Sequence, residues 1–328
     1  MGKRLHDWVV TTWYGGTRRG VWLLPLAWVF AGVSSLRRAL YEHGVFKRYR
    51  SSRLVVIIGN LTAGGTGKTP FVIWLAGELA RRGLKVGVAT RGYKGAHGNA
   101  RRLTDVDSAS DAGDEAMMIR RRLAVPVAVA PRRAEAVRLL EADCDVILCD
   151  DGLQHYALAR DIEICVVDGR GYGNGFLMPA GPLREPPSRL RSVDAVVAHG
   201  AQGVAGHDMK LEGDQLVCMA NAHDVRPAKS FAGQKVHAVA GIGDPKRFFL
   251  GLARFGMKPV PHPFPDHHPF VAGDLDFGDA APVVMTEKDA VKCKRFAKAN
   301  HWVFPVSASL DPAFQRWLLE KLSGSKAA

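Results

Sequence analysis

The apolar run Leu54-Val55-Val56-Ile57-Ile58, closely followed by Gly64-Gly65-Thr66-Gly67-Lys68-Thr69, constrains this chain more than any other feature. A strand, a glycine-rich turn and then Lys-Thr opening a helix is the arrangement that cradles the phosphates of a nucleoside triphosphate. Glycines let backbone N–H groups converge on phosphate oxygens without Cβ clashes. The start of the following helix adds free N–H groups and a positive dipole end. Lys68 is placed to reach the β- and γ-phosphates, and the Thr69 hydroxyl to sit on Mg²⁺. The usual pattern begins with a glycine five residues before the Gly-Lys pair, where this chain has Thr62. With Gly59 further back and an extra glycine pair at 64–65, the segment reads as a variant phosphate loop.

Periodicity beyond the loop points to alternating strands and helices. Residues 70–82 carry Phe71, Val72, Leu75 and Leu79 on one helical face, with Pro70 in the first turn, where its missing N–H costs nothing. Strands are expected at 54–58, 84–89, 127–130, 145–149, 162–167 and 193–198, and helices at 111–122 and 132–141, with a loop at 94–111. Short apolar strands separated by longer helices predict a largely parallel sheet covered on both faces. Residues 169–190 are rich in glycine and proline, and a long irregular loop leaving the carboxyl ends of strands is usually functional. Residues 201–235 show little periodicity and read as a bridge to a second α/β unit, which a helix around 312–319 would close. The expected fold class is α/β: a phosphate-loop, mostly parallel sheet flanked by helices, a smaller α/β C-terminal domain and an N-terminal membrane-associated helix. The expected boundaries are 1–38, 39–225 and 226–328.

The segment Val21–Val33 holds thirteen residues without a charge, between Arg18-Arg19 and Arg37-Arg38. That falls short of the roughly 20 residues of a spanning helix. Trp8, Trp13, Tyr14, Trp22 and Trp28 are residue types that settle at a headgroup boundary. From Arg37 to Arg53 six basic residues face one acid, Glu42, a cluster that would attract anionic lipid at about 1 kcal/mol per charge. A helix lying in or dipping into the cytoplasmic leaflet is therefore expected, the alternative being a helix packed on the domain. The formal charge of +13 calls for an anionic partner. Nucleic acid is not expected, since no regular basic and aromatic array crosses the phosphate-loop domain. Cys144, Cys149, Cys165, Cys218 and Cys293 form neither a CxxC pair nor a zinc spacing, so buried free thiols are expected.

Asp150-Asp151 leave the strand DVILC, where a phosphate-loop enzyme keeps its Mg²⁺-binding acid. Asp150 is expected at the metal, and Asp151 either at the substrate or behind the metal's own ligands. In and just before the Phe264–Phe270 segment, His262, Asp266, His267 and His268 do not make a convincing zinc set. Glu287 and Asp289, after the strand-like Pro282–Met285, are expected to close over the nucleotide from across a cleft.

The combination GNLTAGGTGKTP, TRGY, GDE, DDGLQH, MPAGPLREP, FPDHH and TEKDAVK resembles the tetraacyldisaccharide 4'-kinase family of lipid A biosynthesis, in order from about residue 10 to 310. Absence of the first loop glycine is also that family's pattern. The resemblance implies ATP-dependent phosphorylation of the 4'-hydroxyl of tetraacyldisaccharide 1-phosphate, by a monomer at the cytoplasmic face of a Gram-negative inner membrane. It implies catalytic roles for Asp114 and His267, with His268 left open as the alternative, and for Lys68 on the transferred group. Gly64, Gly65, Thr66, Gly67, Lys68 and Thr69 would hold ATP. Thr69, Glu115 and Asp150 would serve Mg²⁺, and Asp151, His155 and Arg184 the substrate. The competing reading is a soluble phosphate-loop small-molecule kinase or GTPase, to which Thr286-Glu287-Lys288-Asp289 bears a superficial likeness.

Overall fold

A computed structural model of the chain describes residues 2–325 except 17, 93, 94, 96 and 97. Tyr93 of the TRGY segment and part of the expected 94–111 loop lie outside the described residues. Strands are β1 (Leu54–Gly59), β2 (Val86–Thr90), β3 (Arg101–Arg102), β4 (Val127–Val129), β5 (Val146–Cys149), β6 (Ile162–Asp168), β7 (Ala195–His199) and β8 (His207–Glu212). They continue as β9 (Gln215–Cys218), β10 (Val225–Pro227), β11 (Lys235–Ala240), β12 (Lys258–Pro263), β13 (Val283–Thr286), β14 (His301–Phe304) and β15 (Ser307–Leu310). Helices are α1 (Gly2–Tyr14), α2 (Leu24–Glu42), α3 (Lys68–Arg81), α4 (Ala109–Ala112), α5 (Asp114–Arg122), α6 (Arg133–Leu140), α7 (Pro245–Arg254), α8 (Glu287–Cys293) and α9 (Pro312–Ser325).

The larger sheet runs β15-β8-β7-β6-β1-β5-β2-β4-β3. Its pairings are parallel from β8 to β4, and the two edges, β15 and β3, are antiparallel. Val55, Val56, Ile57 and Ile58 of β1 are all buried, because helices and loops cover both faces. Each such side chain stabilises the fold by roughly 1.5–3 kcal/mol. The register sets Ile57 beside Cys149 and Gly59 beside Cys165, so the ends of β1, β5 and β6 open onto one edge. A ligand crevice forms at such an edge. The smaller sheet runs β10-β9-β14-β13-β11-β12, with its own apolar clusters on both faces.

Several elements differ from the sequence reading. The single helix expected at 111–122 is interrupted at Gly113, whose φ of 89° separates α4 from α5. Residues 201–235 hold β8, β9 and β10 rather than an irregular bridge; these strands are short and mostly exposed, so few apolar positions mark them in the sequence. The C-terminal helix does not close the smaller unit. It packs on the larger one, where Phe314 meets Phe71 and Trp74 at centroid distances of 5.7 and 5.9 Å. All five cysteines are free and buried.

At the N-terminus, helix continues through Arg37-Arg38 as far as Glu42. The stretch Gly20–Glu42 is thereby long and apolar enough to cross a membrane, although its uncharged core is short. Trp22 and Trp28 are each 69% exposed, and Val29, Val33 and Leu36 are exposed beside them. A patch of this kind on a folded chain marks a contact with lipid or protein.

Candidate active site

Gly67 occupies the N-cap of α3 with φ 82°, a left-handed conformation that glycine adopts without strain, and Gly64 has φ 100°. The chain can then turn sharply into α3 and bury Lys68 at its first position. Lys68 Nζ donates to Asn60 Oδ1 at 3.0 Å and pairs with Asp151 at 3.2 Å. Asn60 Nδ2 in turn donates to the Thr62 carbonyl at 2.8 Å. One buried amide thus braces both the loop and its lysine.

Asp150 and Asp151 follow β5 but differ in environment. Asp151 has φ 52°, uncommon for a residue with a Cβ and a conformation that accumulates at functional sites. Its carboxylate receives two contacts of 3.2 Å from Arg184 Nη1 beside the Lys68 pair. Burial alone would raise its pKa, but Lys68, Arg184 and Arg133 together hold it well below the carboxylate range. Asp150 is 1% exposed, and neither carboxylate oxygen has a hydrogen-bond partner. Desolvation, followed by the charge of Glu115, pushes its pKa up to about 7. Arg133, buried beneath, donates to the Asp150 carbonyl rather than to its side chain.

From the other side come α5 and the Phe264–Phe270 segment. His267 (φ 59°) sets Nδ1 3.1 Å from Asp114 Oδ2. Lys288 Nζ lies 3.3 Å from His267 Nε2 and pairs with Glu115 at 3.1 Å and Asp266 at 2.9 Å. Burial lowers the Lys288 pKa, yet these two carboxylates raise it on balance, so it is a fixed cation. His268 turns away to Asp274 at 3.0 Å. His155 is half-buried near Arg133, and desolvation together with that charge pushes its pKa down to about 4, leaving a neutral imidazole at pH 7.

The structure therefore brings Lys68, Asp151 and Arg184 into one cluster. It brings Asp114, His267 and Glu115 into a second, and the field of Glu115 at Asp150 joins the two. Thr69 is buried at the start of α3. Glu287 instead pairs with Arg122 at 3.3 Å. Asp289 is fully buried and accepts from the Gly241 N–H at 2.8 Å and the Thr286 hydroxyl at 2.7 Å. Neither is bonded to the Lys68–Asp151 cluster. Sequence reasoning missed Asn60, Lys288 and Arg133. Asn60, inside GNLTAGGTGKTP, and Lys288, inside TEKDAVK, each carried a signal, whereas Arg133 stands in none of the quoted motifs.

Among the described residues no three His, Cys, Asp or Glu side chains form a metal cage. That suits Mg²⁺, which keeps its waters and takes one or two protein oxygens beside phosphate. The unpartnered, buried carboxylate of Asp150 fits such an ion.

The family model described as tetraacyldisaccharide-1-P 4'-kinase matches residues 19–323. A tetraacyldisaccharide 4'-kinase of Methylobacillus flagellatus is 44% identical over 328 residues, covering 98% of each chain. One of Aromatoleum aromaticum is 47% identical over 313 residues, covering 92% of this chain and 93% of that one. The crystal structure of LpxK from Aquifex aeolicus in complex with ATP superposes with a TM-score of 0.78 at 26% identity, covering 92% of this chain and 99% of that one. With the site's geometry and nearly the whole length of the chain in agreement, this protein belongs to the tetraacyldisaccharide-1-P 4'-kinase family.

Proposed function

We propose that Asp114 and His267 prepare the sugar hydroxyl for attack, while Lys68 meets the phosphoryl group that it receives. The chain is an ATP-dependent lipid kinase that phosphorylates the 4'-hydroxyl of tetraacyldisaccharide 1-phosphate. The observation that carries the residue assignment is the His267–Asp114 contact of 3.1 Å, formed between segments 153 residues apart. A hydroxyl needs a proton acceptor within about 2.6–3.2 Å. Asp114 takes or orients that proton, and His267 holds the carboxylate in position. Lys288 keeps positive charge beside His267 and balances Glu115 and Asp266.

The backbone of Gly64–Gly67 surrounds the phosphates, and Lys68 neutralises charge that develops on the transferred group. Asp151 keeps the lysine aimed, and Arg184 holds Asp151 from the substrate side. Asp150 and Thr69, with Glu115 nearby, would hold Mg²⁺, which would supply positive charge to offset that of the phosphates. The exposed apolar face of α2 supplies a place beside the acyl chains at the cytoplasmic face of the inner membrane.

Turnover with Mg-ATP and the acylated disaccharide phosphate in mixed micelles tests these roles. Lys68→Ala and Asp114→Ala are expected to lose about 10²–10⁴-fold in kcat with unfolding curves close to wild type. His267→Ala should lose far more than His268→Ala, whose partner is Asp274. Full activity in Asp114→Ala, or a larger loss at His268, would refute the assignment.

A further inference from the structure

The phosphate loop has few side chains of its own, so its shape is imposed from outside. Asn60 reaches the Gly64 carbonyl from within, at 3.4 Å. On the other side stands Arg170, which no step above uses. It follows β6 and is fixed by Asp168, with Nε donating at 2.8 Å and its backbone N–H at 3.1 Å. From there Nη2 donates to the Gly65 carbonyl oxygen. A Cβ built on Gly64 would lie 3.6 Å from Arg170 Nη1, and one on Gly243 3.4 Å from it. Gly243 belongs to the turn after β11, so the smaller unit also abuts this guanidinium.

The remaining face of Arg170 is covered by the N-terminal segment. Its guanidinium carbon lies 5.1 Å from the centre of the Tyr14 ring, at the end of α1. The Tyr14 hydroxyl donates to the Ala63 carbonyl at 3.4 Å, inside the same loop. The end of α1 is itself pinned. Trp13 Nε1 donates to the Pro179 carbonyl at 3.1 Å, and Asn174 Nδ2 to the Thr12 carbonyl at 3.2 Å. The segment that leads into the exposed apolar helix is thus wired to the nucleotide loop directly through the Tyr14 hydroxyl and through one planar cation. Arginine suits this task because its fork serves a carboxylate, a carbonyl and an aromatic face at once, which an ammonium cannot do.

We infer that Arg170 is a positioning residue that holds the phosphate loop in its ATP-binding shape, and that Tyr14 couples the seating of the N-terminal helix to that shape. The inference rests on reading Gly64–Thr69 as the ATP phosphate loop.

The experiment measures KM for ATP and for lipid separately, with the full chain in mixed micelles, beside nucleotide titration without lipid. Arg170→Gln is expected to raise the ATP KM about tenfold, the size of a lost charged hydrogen bond, with lipid KM within twofold. Arg170→Lys keeps the Asp168 pair but not the fork, and should fall between that variant and wild type. Its readout remains where Arg170→Gln fails to fold. Tyr14→Leu should raise the ATP KM about threefold through the lost ring contact, and Tyr14→Phe less. The double variant should cost less than the product of the two single effects. An ATP KM within twofold of wild type in both Arg170 variants overturns the inference. So does a Tyr14→Leu effect confined to lipid KM, or independent effects in the double variant. Lys68→Ala run alongside separates the two readings, since full turnover there would sink the nucleotide assignment itself.

Discussion

Asp150 shows what an unpartnered buried carboxylate does to the stability of a fold. Its carboxylate is buried with no partner, and its pKa of about 7 stands above the ordinary 3.8. The folded state therefore holds a proton that the unfolded state has released between about pH 4 and 7. Stability falls as pH rises through that window. Asp150→Asn is expected to be more stable than wild type at pH 8 without metal, by up to about 4 kcal/mol, with the gap closing below pH 4. Thermal unfolding across that range checks it, and an asparagine variant less stable at pH 8 would contradict the account. The same protonation predicts that apparent Mg²⁺ affinity weakens as pH falls below about 7, measurable as a rising metal requirement for turnover. Much of the candidate site was legible at this scale, because Lys68, Asp114 and Asp150 each stand beside a glycine turn or at a strand exit. Which imidazole faces Asp114 was not, because His267 and His268 are adjacent and only the left-handed backbone at His267 separates their directions.

Among the elements, α2 packs least on the core while remaining strongly apolar. Ala27 is its one buried residue, while Trp22, just before it, and Trp28, Val29 and Val33 on it face outward. Its C-terminal end is nevertheless tied to the site, since Arg37 Nη1 donates to the Gln154 carbonyl at 3.2 Å in the DDGLQH turn. Replacing Trp28 and Val29 by glutamate should leave the thermal midpoint nearly unchanged, because both are exposed. It should abolish most co-sedimentation with anionic vesicles, at a cost of several kcal/mol for charges in the apolar layer. Undiminished vesicle binding would show that another surface holds the membrane. The sequence located this helix from its tryptophans and flanking arginines. Its continuation to Glu42 was hidden because Arg37 and Arg38 read as the end of the apolar run, whereas the helix carries them on, with Arg38 paired to Glu42 at 2.7 Å.

The whole molecule consists of two sheets that the chain visits out of order. It leaves the larger sheet after β8, builds the smaller one, and returns at β15. The outgoing and returning crossings lie side by side, for a Cβ on Gly213 would stand 2.3 Å from the Pro305 carbonyl oxygen. Arg122 fastens the return by donating to the Val306 carbonyl at 2.9 Å. Gly213→Val should therefore force the two crossings apart and destabilise the protein by about 1–3 kcal/mol. Denaturant unfolding measures this, and a neutral result would mean that the crossings yield freely. The crossing also explains why the smaller unit can present His267 and Lys288 to Asp114 and Glu115 across the opening.

The strand-loop-helix at 54–81, the acids after β5 and the apolar N-terminal helix were determined by the sequence alone. Each rests on local rules: glycine's freedom at positive φ, burial of continuous apolar strands, and the affinity of tryptophan and arginine for an interface. Tertiary structure decided what depends on contacts between distant segments. It placed α9 on the larger sheet, buried Asp289 as an internal brace, chose His267 over His268 as the neighbour of Asp114, and set Arg170 between the phosphate loop and Tyr14. No local pattern encodes these pairings, because each is settled by how two separately stable pieces pack and by which polar groups find partners once water has gone.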